Sequence, residues 1–186
     1  MITDQTAVEN YILTEIDSSL YNQFVEWVNG VEEEMNKMTG RQLIAPSEFE
    51  EEYMYDGNGK CSIMIDDFIS ISKIEVDDED ITDDCYLYPS NKVPKWQIKS
   101  TLKFSRGHQN VVITGVKGYT TLENLPSDLK WAATVLVSGI INFSNSSEGE
   151  VQSETIGRYS VTYTTDAAKD DHSRAMSIIK RYRKIR

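Results

Sequence analysis

The chain is short of the residues that catalysis, metals and membranes call on. Among 186 residues there are two cysteines, two histidines and four prolines. No apolar run reaches about 18 residues, which excludes a membrane-spanning helix. Cys61 and Cys85 show no C-x-x-C spacing. They read as reduced thiols in a cytosolic setting, not as a disulfide framework or a zinc site. Met1-Ile2-Thr3-Asp4 bring no positive segment and no apolar stretch follows, so no secretory signal is expected. On that reading the sequons at Asn142-Phe143-Ser144 and Asn145-Ser146-Ser147 are chance matches.

What is present fits one folded domain. Aromatic residues at 10% are too many for a disordered chain, and the length suffices to bury a sizeable core. The net charge is −11, from 19 basic and 30 acidic residues. It is unevenly spread: residues 169–186 hold seven basic and two acidic, +5, which leaves −16 on the rest. An acidic body of that kind repels nucleic acid, and the basic end is the part suited to an acidic partner. The simpler reading of that end is a solvated helix terminus with favourable cations.

Thr6-Ala7-Val8-Glu9 matches a capping box and predicts a short first helix. A stronger helix is expected from Asp17 as N-cap, with Leu20, Phe24, Trp27, Val31, Met35 and Met38 on one face and Gly40 as the stop. After Arg41 the apolar period changes to two. Residues 52–55 and 61–65 flank Asp56-Gly57-Asn58-Gly59, a hairpin signal. Ile69, Ile71, Ile74 and Val76 predict a third strand, bulged near Ser72-Lys73, followed by an acidic turn over 77–84 and a short strand over 86–88. Residues 96–104 and 111–116 alternate around a turn at Arg106-Gly107. A helix is expected from Ser127 to Phe143, apolar nearly all round and therefore central. A polar loop over 145–153 and a last strand or hairpin over 156–164 follow. A basic helix over 170–184 then has Met176, Ile179 and Tyr182 as its apolar side. The fold class this implies is α+β: a small helical bundle with an inserted antiparallel sheet. Its helical core is residues 3–40 and 126–143 with the helix 170–184, and its β-rich insertion is 49–119, all within one domain spanning 1–186. Trp27 and Leu136 are expected to be buried where the two long helices cross.

Catalytic candidates are few. His108 and His172 have no cysteine or serine partner in a nucleophile context and read as two surface histidines. Gly57-Asn58-Gly59-Lys60 lacks the spacing of a phosphate loop and sits between strands. Across 77–84 the acids fail the calcium-loop pattern: counted from Asp77, the sixth position is Thr82 and the twelfth Tyr88. No catalytic residues, cofactor or metal site are assigned, and the residues read as those of a non-enzyme.

Several strings, in order, resemble the head–tail connector, or adaptor, family of tailed bacteriophages. They are Thr39-Gly40-Arg41 at a helix end, Tyr55-Asp56-Gly57-Asn58-Gly59, the strand Ile69-Ser70-Ile71-Ser72-Lys73-Ile74-Glu75-Val76, and Tyr86-Leu87-Tyr88-Pro89. The approach to Gly118-Tyr119, the helix start at Leu125-Pro126-Ser127-Asp128, and Glu154 through Tyr163 complete the match. The chain departs from the family at Asp66-Asp67-Phe68, where a proline is frequent, and at Phe104-Ser105-Arg106-Gly107, where a Trp-Pro turn is frequent.

The resemblance implies a mechanical role in the virion, at the head–tail interface, after assembly in the host cytoplasm. Copies form a ring, about twelvefold, below the portal protein. The ring extends the DNA channel and presents a face to a downstream stopper or tail-completion protein. Genome DNA passes without specific binding, and no membrane is involved. The basic end supplies the portal-docking candidates Lys180, Arg181, Tyr182, Arg183, Lys184, Ile185 and Arg186, with the residues from about Arg181 expected to leave the body. Alternatives are another neck or tail-completion protein, an acidic protein that mimics DNA, and an enzyme with an unrecognised carboxylate site.

Overall fold

The first helix is set by Asp4, whose carboxylate accepts the Ala7 N–H at 2.8 Å and satisfies an amide of the first turn. The computed structural model describes residues 1–46, 48–145, 152–156, 159–163 and 166–184. Helix α1 is Gln5–Ile12. The expected Thr6–Glu9 box does not form. Glu9 instead accepts from Gln5 Nε2 at 2.7 Å and from the Ile16 N–H at 2.9 Å, fastening the following loop to the helix. Asp17 does cap, but the element it caps is the 3-10 turn Ser18–Leu20, which runs on into α2, Tyr21–Thr39. Gly40 ends α2 in the left-handed region (φ 64°), where a side chain is strained.

The chain forms two units, Met1–Gly40 with Leu125–Arg186, and Arg41–Asn124. In the first, helical unit the central element is α3, Ser127–Asn145, which packs on α1, α2, the strand β8 (Tyr159–Tyr163) and α4 (Asp166–Arg181). Its apolar surface goes most of the way round, so it is buried on several sides: Leu129, Ala132, Ala133, Val135, Leu136, Val137, Ile140 and Ile141 are all inside. Its hydroxyls are satisfied, Ser138 Oγ on the Thr134 carbonyl one turn back (2.7 Å) and Thr134 Oγ1 against Thr3 Oγ1 near the start of the chain (2.7 Å). Trp27 and Leu136 are buried, as expected. The strand β7, Gln152–Ile156, pairs with β8 as an antiparallel hairpin.

Helix α4 begins earlier than the sequence pattern suggests, and its buried row is His172, Ala175, Ile178 and Ile179. Met176 and Tyr182 are half-buried beside it. His172 is thus not a surface residue; it is 4% exposed. It lies one helical step (i, i+3) from Ala175, and that spacing carries it inward.

The second unit is an antiparallel sheet in the order β1-β6-β2-β5-β4, with β3 beside the end of β2. The strands are β1 Glu51–Gly57, β2 Ser62–Val76, β3 Glu79–Asp80, β4 Cys85–Tyr88, β5 Lys95–Ser100 and β6 Gly107–Lys117. Two local hairpins expected from the sequence do not form. The strands flanking Asp56–Gly59 are not partners, because β6 pairs with β1 and with β2 and lies between them. Likewise β5 and β6 are separated by β2. The two stretches expected as second and third strands are one strand, β2.

Strand β2 shifts register between Met64 and Phe68, Phe68 and Ser70, and Ile71 and Lys73. Its buried positions change parity from Ile63 and Ile65 to Phe68, Ile74 and Val76. Each extra residue turns the strand, so its two halves serve different neighbours. Gly115 faces the bulge, where a Cβ would collide with the Ser70 carbonyl. Ile63, Ile65, Phe68, Ile74, Val76, Ile98, Phe104, Val111 and Ile113 form this unit's core, and the Tyr53 ring meets Phe68 edge-on at 5.3 Å.

Candidate docking surfaces

The family-like strings turn out to hold structure. Thr39 Oγ1 donates to the Met35 carbonyl at 2.8 Å, and Gly40 closes the helix. The Arg41 guanidinium meets Asp67 Oδ2 at 2.6 Å, with Asp67 3% exposed, and lies over the Tyr119 ring at 5.1 Å. Gly118 donates its N–H to the Asp67 carbonyl. Asp67, in the middle of the Asp66-Asp67-Phe68 stretch, is therefore the buried counterion of Arg41.

The acidic run is a set of turns. Asp77 and Asp78 both have positive φ (53° and 66°) and close the β2–β3 hairpin, since Val76 pairs with Glu79. Asp77 accepts from Ser105 Oγ and from Asn110 Nδ2 at 3.0 Å, and these bonds, the serine's first, hold its carboxyl below the usual range. Asp80 accepts from the Thr82 hydroxyl (2.7 Å) and N–H (2.9 Å), with the same effect. Among the described residues no three His, Cys, Asp or Glu side chains converge as a metal site would.

His108 stands in the open with Nδ1 2.9 Å from Asp56 Oδ1. Asp56 also accepts the Gln109 N–H at 2.7 Å, and that backbone bond, more than the histidine, lowers its carboxyl. The pair fixes the entry of β6. The Cys61 thiol is exposed and Cys85 is half-buried; both are free, and burial raises the Cys85 thiol.

The basic end is built on two helix termini. Lys180 and Arg181 form the last turn of α4, where cations meet the negative end of the helix dipole. The chain then stays on the helical unit rather than leaving it at Arg181. Tyr182 Oη donates to Asp128 Oδ1 at 2.8 Å, Arg181 reaches Asp128 Oδ2 at 3.3 Å, and the Lys184 N–H donates to the Thr39 carbonyl at 2.8 Å. A half-exposed hydroxyl aimed at a carboxylate and an unfilled carbonyl at the α2 C-terminus hold the segment down. Ile185 and Arg186 lie outside the described residues.

An open hollow results, lined by Lys37, Thr39, Gly40, Lys180, Arg183 and Lys184 among others. Lys37 is shared with Glu33 (3.1 Å) and Glu34 (3.0 Å). The sequence pointed to the end of α4 but not to Lys37, which joins from the C-terminal turn of α2. Asp128, the anchor of the tail, was visible only as part of the Leu-Pro-Ser-Asp string.

Comparison with known proteins identifies this architecture. The family model for head completion proteins matches residues 1–185. The chain belongs to the head completion protein family, and is a structural protein of the virion at the head–tail interface. No curated protein matches it. Solved structures share the fold, among them three from gene transfer agent particles. A chain from the neck of an empty gene transfer agent particle, computed with C6 symmetry, aligns with TM-score 0.59 and 13% identity, over 93% of this chain and 83% of that one. One from the neck of a native particle, computed with C12 symmetry, gives 0.54 and 13%, over 88% and 83%. One from the virion of the native particle gives 0.53 and 14%, over 89% and 78%.

Proposed function

We propose that this chain is a ring subunit of the neck, seated on the portal of a DNA-filled head and offering its other face to a downstream stopper or tail-completion protein. The two units act as one connector domain, and the role is mechanical, without catalysis. Similarity to neck chains of particles computed with C6 and C12 symmetry supports a ring of about twelve copies. The acidic surface suits a channel that must let DNA slide, because it offers phosphates no grip.

The observation that carries the portal contact is the concentration of cations at one place on an acidic protein. Lys180, Arg181, Arg183 and Lys184 flank Tyr182 and stand across from Lys37. This surface docks on acidic groups of the portal, and the sequence expectation adds Ile185 and Arg186 to the contact. Ordered assembly follows: bodies of like charge repel at close range, the Debye length of about 8 Å screens only part of that, and the portal supplies the missing free energy.

Two variants test this. One is truncated after Lys180. The other keeps the full chain with Lys180, Arg183 and Lys184 replaced by Glu, which spares the Tyr182–Asp128 bond. Both are expected to stay folded by circular dichroism and to lose capture by portal rings. Capture of the charge-reversed chain at the wild-type level would remove the basic end as the anchor. A stable ring of isolated full-length chain at ordinary salt, seen by sedimentation, would overturn templated assembly.

A further inference from the structure

The sheet unit is electrically divided along its strand order. Residues 48–56, which contain most of β1, hold five acidic and no basic residues. Residues 86–106, which contain most of β4 and all of β5, hold five basic and no acidic residues in a chain of net charge −11. These segments bear the two strands at the ends of the sheet path, each hydrogen-bonded on one side only among the described strands. Little of this charge is neutralised internally: Lys73 lies within electrostatic reach of Glu52, and His108 pairs with Asp56. Among the described residues, Glu48, Glu50, Glu51 and Glu52 take part in no ion pair, and neither do Lys92, Lys99, Lys103 and Arg106.

Both patches also carry apolar side chains in the open. Phe49 (81% exposed) and Met54 stand on the acidic side; Tyr86 (60% exposed), Val93 and Leu102 stand on the basic side. Exposed aromatics framed by charge are what a protein–protein interface needs and what a solvated surface avoids. The hydroxyl and carbonyl contacts that the charged groups do make, such as Ser72 Oγ to Glu50 and Lys95 Nζ to the Pro89 carbonyl, leave their net charge intact.

We propose that the acidic β1 edge of one copy docks on the lysine-bearing β4–β5 edge of the next copy. The contact is heterologous: two different patches meet, each copy uses both, and the chain of contacts closes into a ring. A self-complementary pairing of either edge would set five like charges against five, which repel. This inference rests on the reading of the protein as a ring subunit and specifies which surfaces meet. The surfaces belong to the sheet unit and are separate from the basic end of α4, so portal docking and lateral contact are assigned to different residues.

The test uses charge reversal in the full-length chain, added to portal-bearing heads that lack it and read by co-sedimentation and by negative-stain images of the neck. Variant one carries Glu48→Lys, Glu51→Lys and Glu52→Lys; variant two carries Lys92→Glu, Lys99→Glu and Lys103→Glu. Each alone is expected to fill the neck about tenfold less than wild type, since both its patches then have one sign. An equal mixture restores filling in an even-membered ring, because alternating copies again present opposite charges at every contact. A chain carrying all six changes restores it as well, which excludes misfolding as the cause of the single losses. Wild-type filling by each variant alone, or no recovery in the mixture and in the six-fold chain, overturns the edge-to-edge contact. If the wild-type chain binds heads as single copies and never as a ring, the ring reading itself falls; if it makes rings and the reversals do not matter, only this pairing falls.

Discussion

The helical unit and the sheet unit solve the same problem with opposite means. The first buries one nearly all-apolar helix, α3, among its neighbours; some of its polar groups are satisfied within one turn, as Ser138 is by Thr134 and Thr39 by Met35, and others tie distant segments, as Thr3–Thr134 and Tyr11–Asp171 do. The second buries one face of a bent sheet, and its polar contacts join residues far apart in sequence: the buried pair Arg41 with Asp67, and nearer the surface Asn110 with Gly57 and Asp77 and Asp56 with Gln109. Each helix of the first unit is set by spacing within one segment even though the unit joins both ends of the chain, whereas strand pairing in the sheet unit must be assembled from distant pieces, which slows folding and concentrates risk at a few joints.

Core truncation gives the largest expected effects. Phe68→Ala removes the fully buried ring that Tyr53 meets edge-on, and should cost about 3–5 kcal/mol by chemical denaturation. Leu136→Ala should cost about 2–5 kcal/mol in the other unit. Amide exchange separates the two: the first should speed exchange in β1, β2 and β6, the second in α2, α3 and α4. Equal acceleration everywhere in both variants would erase the distinction between the units.

Next comes Asp67→Ala, which strands Arg41 without its buried partner and should cost about 3 kcal/mol. An Arg41→Met, Asp67→Leu double variant should recover most of that, because an apolar pair replaces a desolvated ionic one. Tyr182→Phe is smaller, about 1 kcal/mol for one hydrogen bond to Asp128. Measured by thermal melting, it should weaken the last turn of α4 and leave the sheet untouched.

The smallest effect is with pH. Asp77, Asp80 and Asp56 have carboxyls held low in the folded sheet unit by the bonds they accept. A lowered folded-state pKa gives stability that is complete above the unfolded value of about 3.9 and is lost as pH falls below it. Melting temperature should drop with acid in that window, and Asp77→Asn with Asp80→Asn should flatten the drop.

The same contrast governs what the sequence could tell. The helices of residues 21–39 and 127–145 were legible because their signal is a spacing within one segment, and Gly40 marks the end of the first. The strands were legible as strands, but their partners were not. Period two says that a segment alternates faces; it does not say which strand lies alongside, and adjacency along the chain gave two hairpins that β6 and β2 interrupt. His172 misled for a related reason, since a polar residue on a polar helix gives no hint that its row turns inward. At the basic end, charge singled out residues 180–184, while the hold of Asp128 and Thr39 on that segment depends on three helix ends meeting and left no trace in spacing. The second positive stretch, residues 86–106, was written in the composition all along, diluted by its acidic neighbours until the sheet order set it apart.

One joint has a mechanical consequence. The chain enters the sheet unit through residues 42–45 and comes back through residues 118–120, and these two passages run parallel, with Tyr119 N–H on the Gln42 carbonyl, Thr120 N–H on Leu43 and Ala45 N–H on Thr120. Tension applied through the helices pulls the first passage toward its start and the second toward its end. For parallel strands those directions are opposed along one axis, so the load is a shear. The three bonds and the Arg41–Asp67 link then bear it together and must fail together, instead of opening one after another like a zip. The passages that lead into and out of the sheet unit are thereby fastened to each other as a lap joint, which is strongest when it is loaded along its own length.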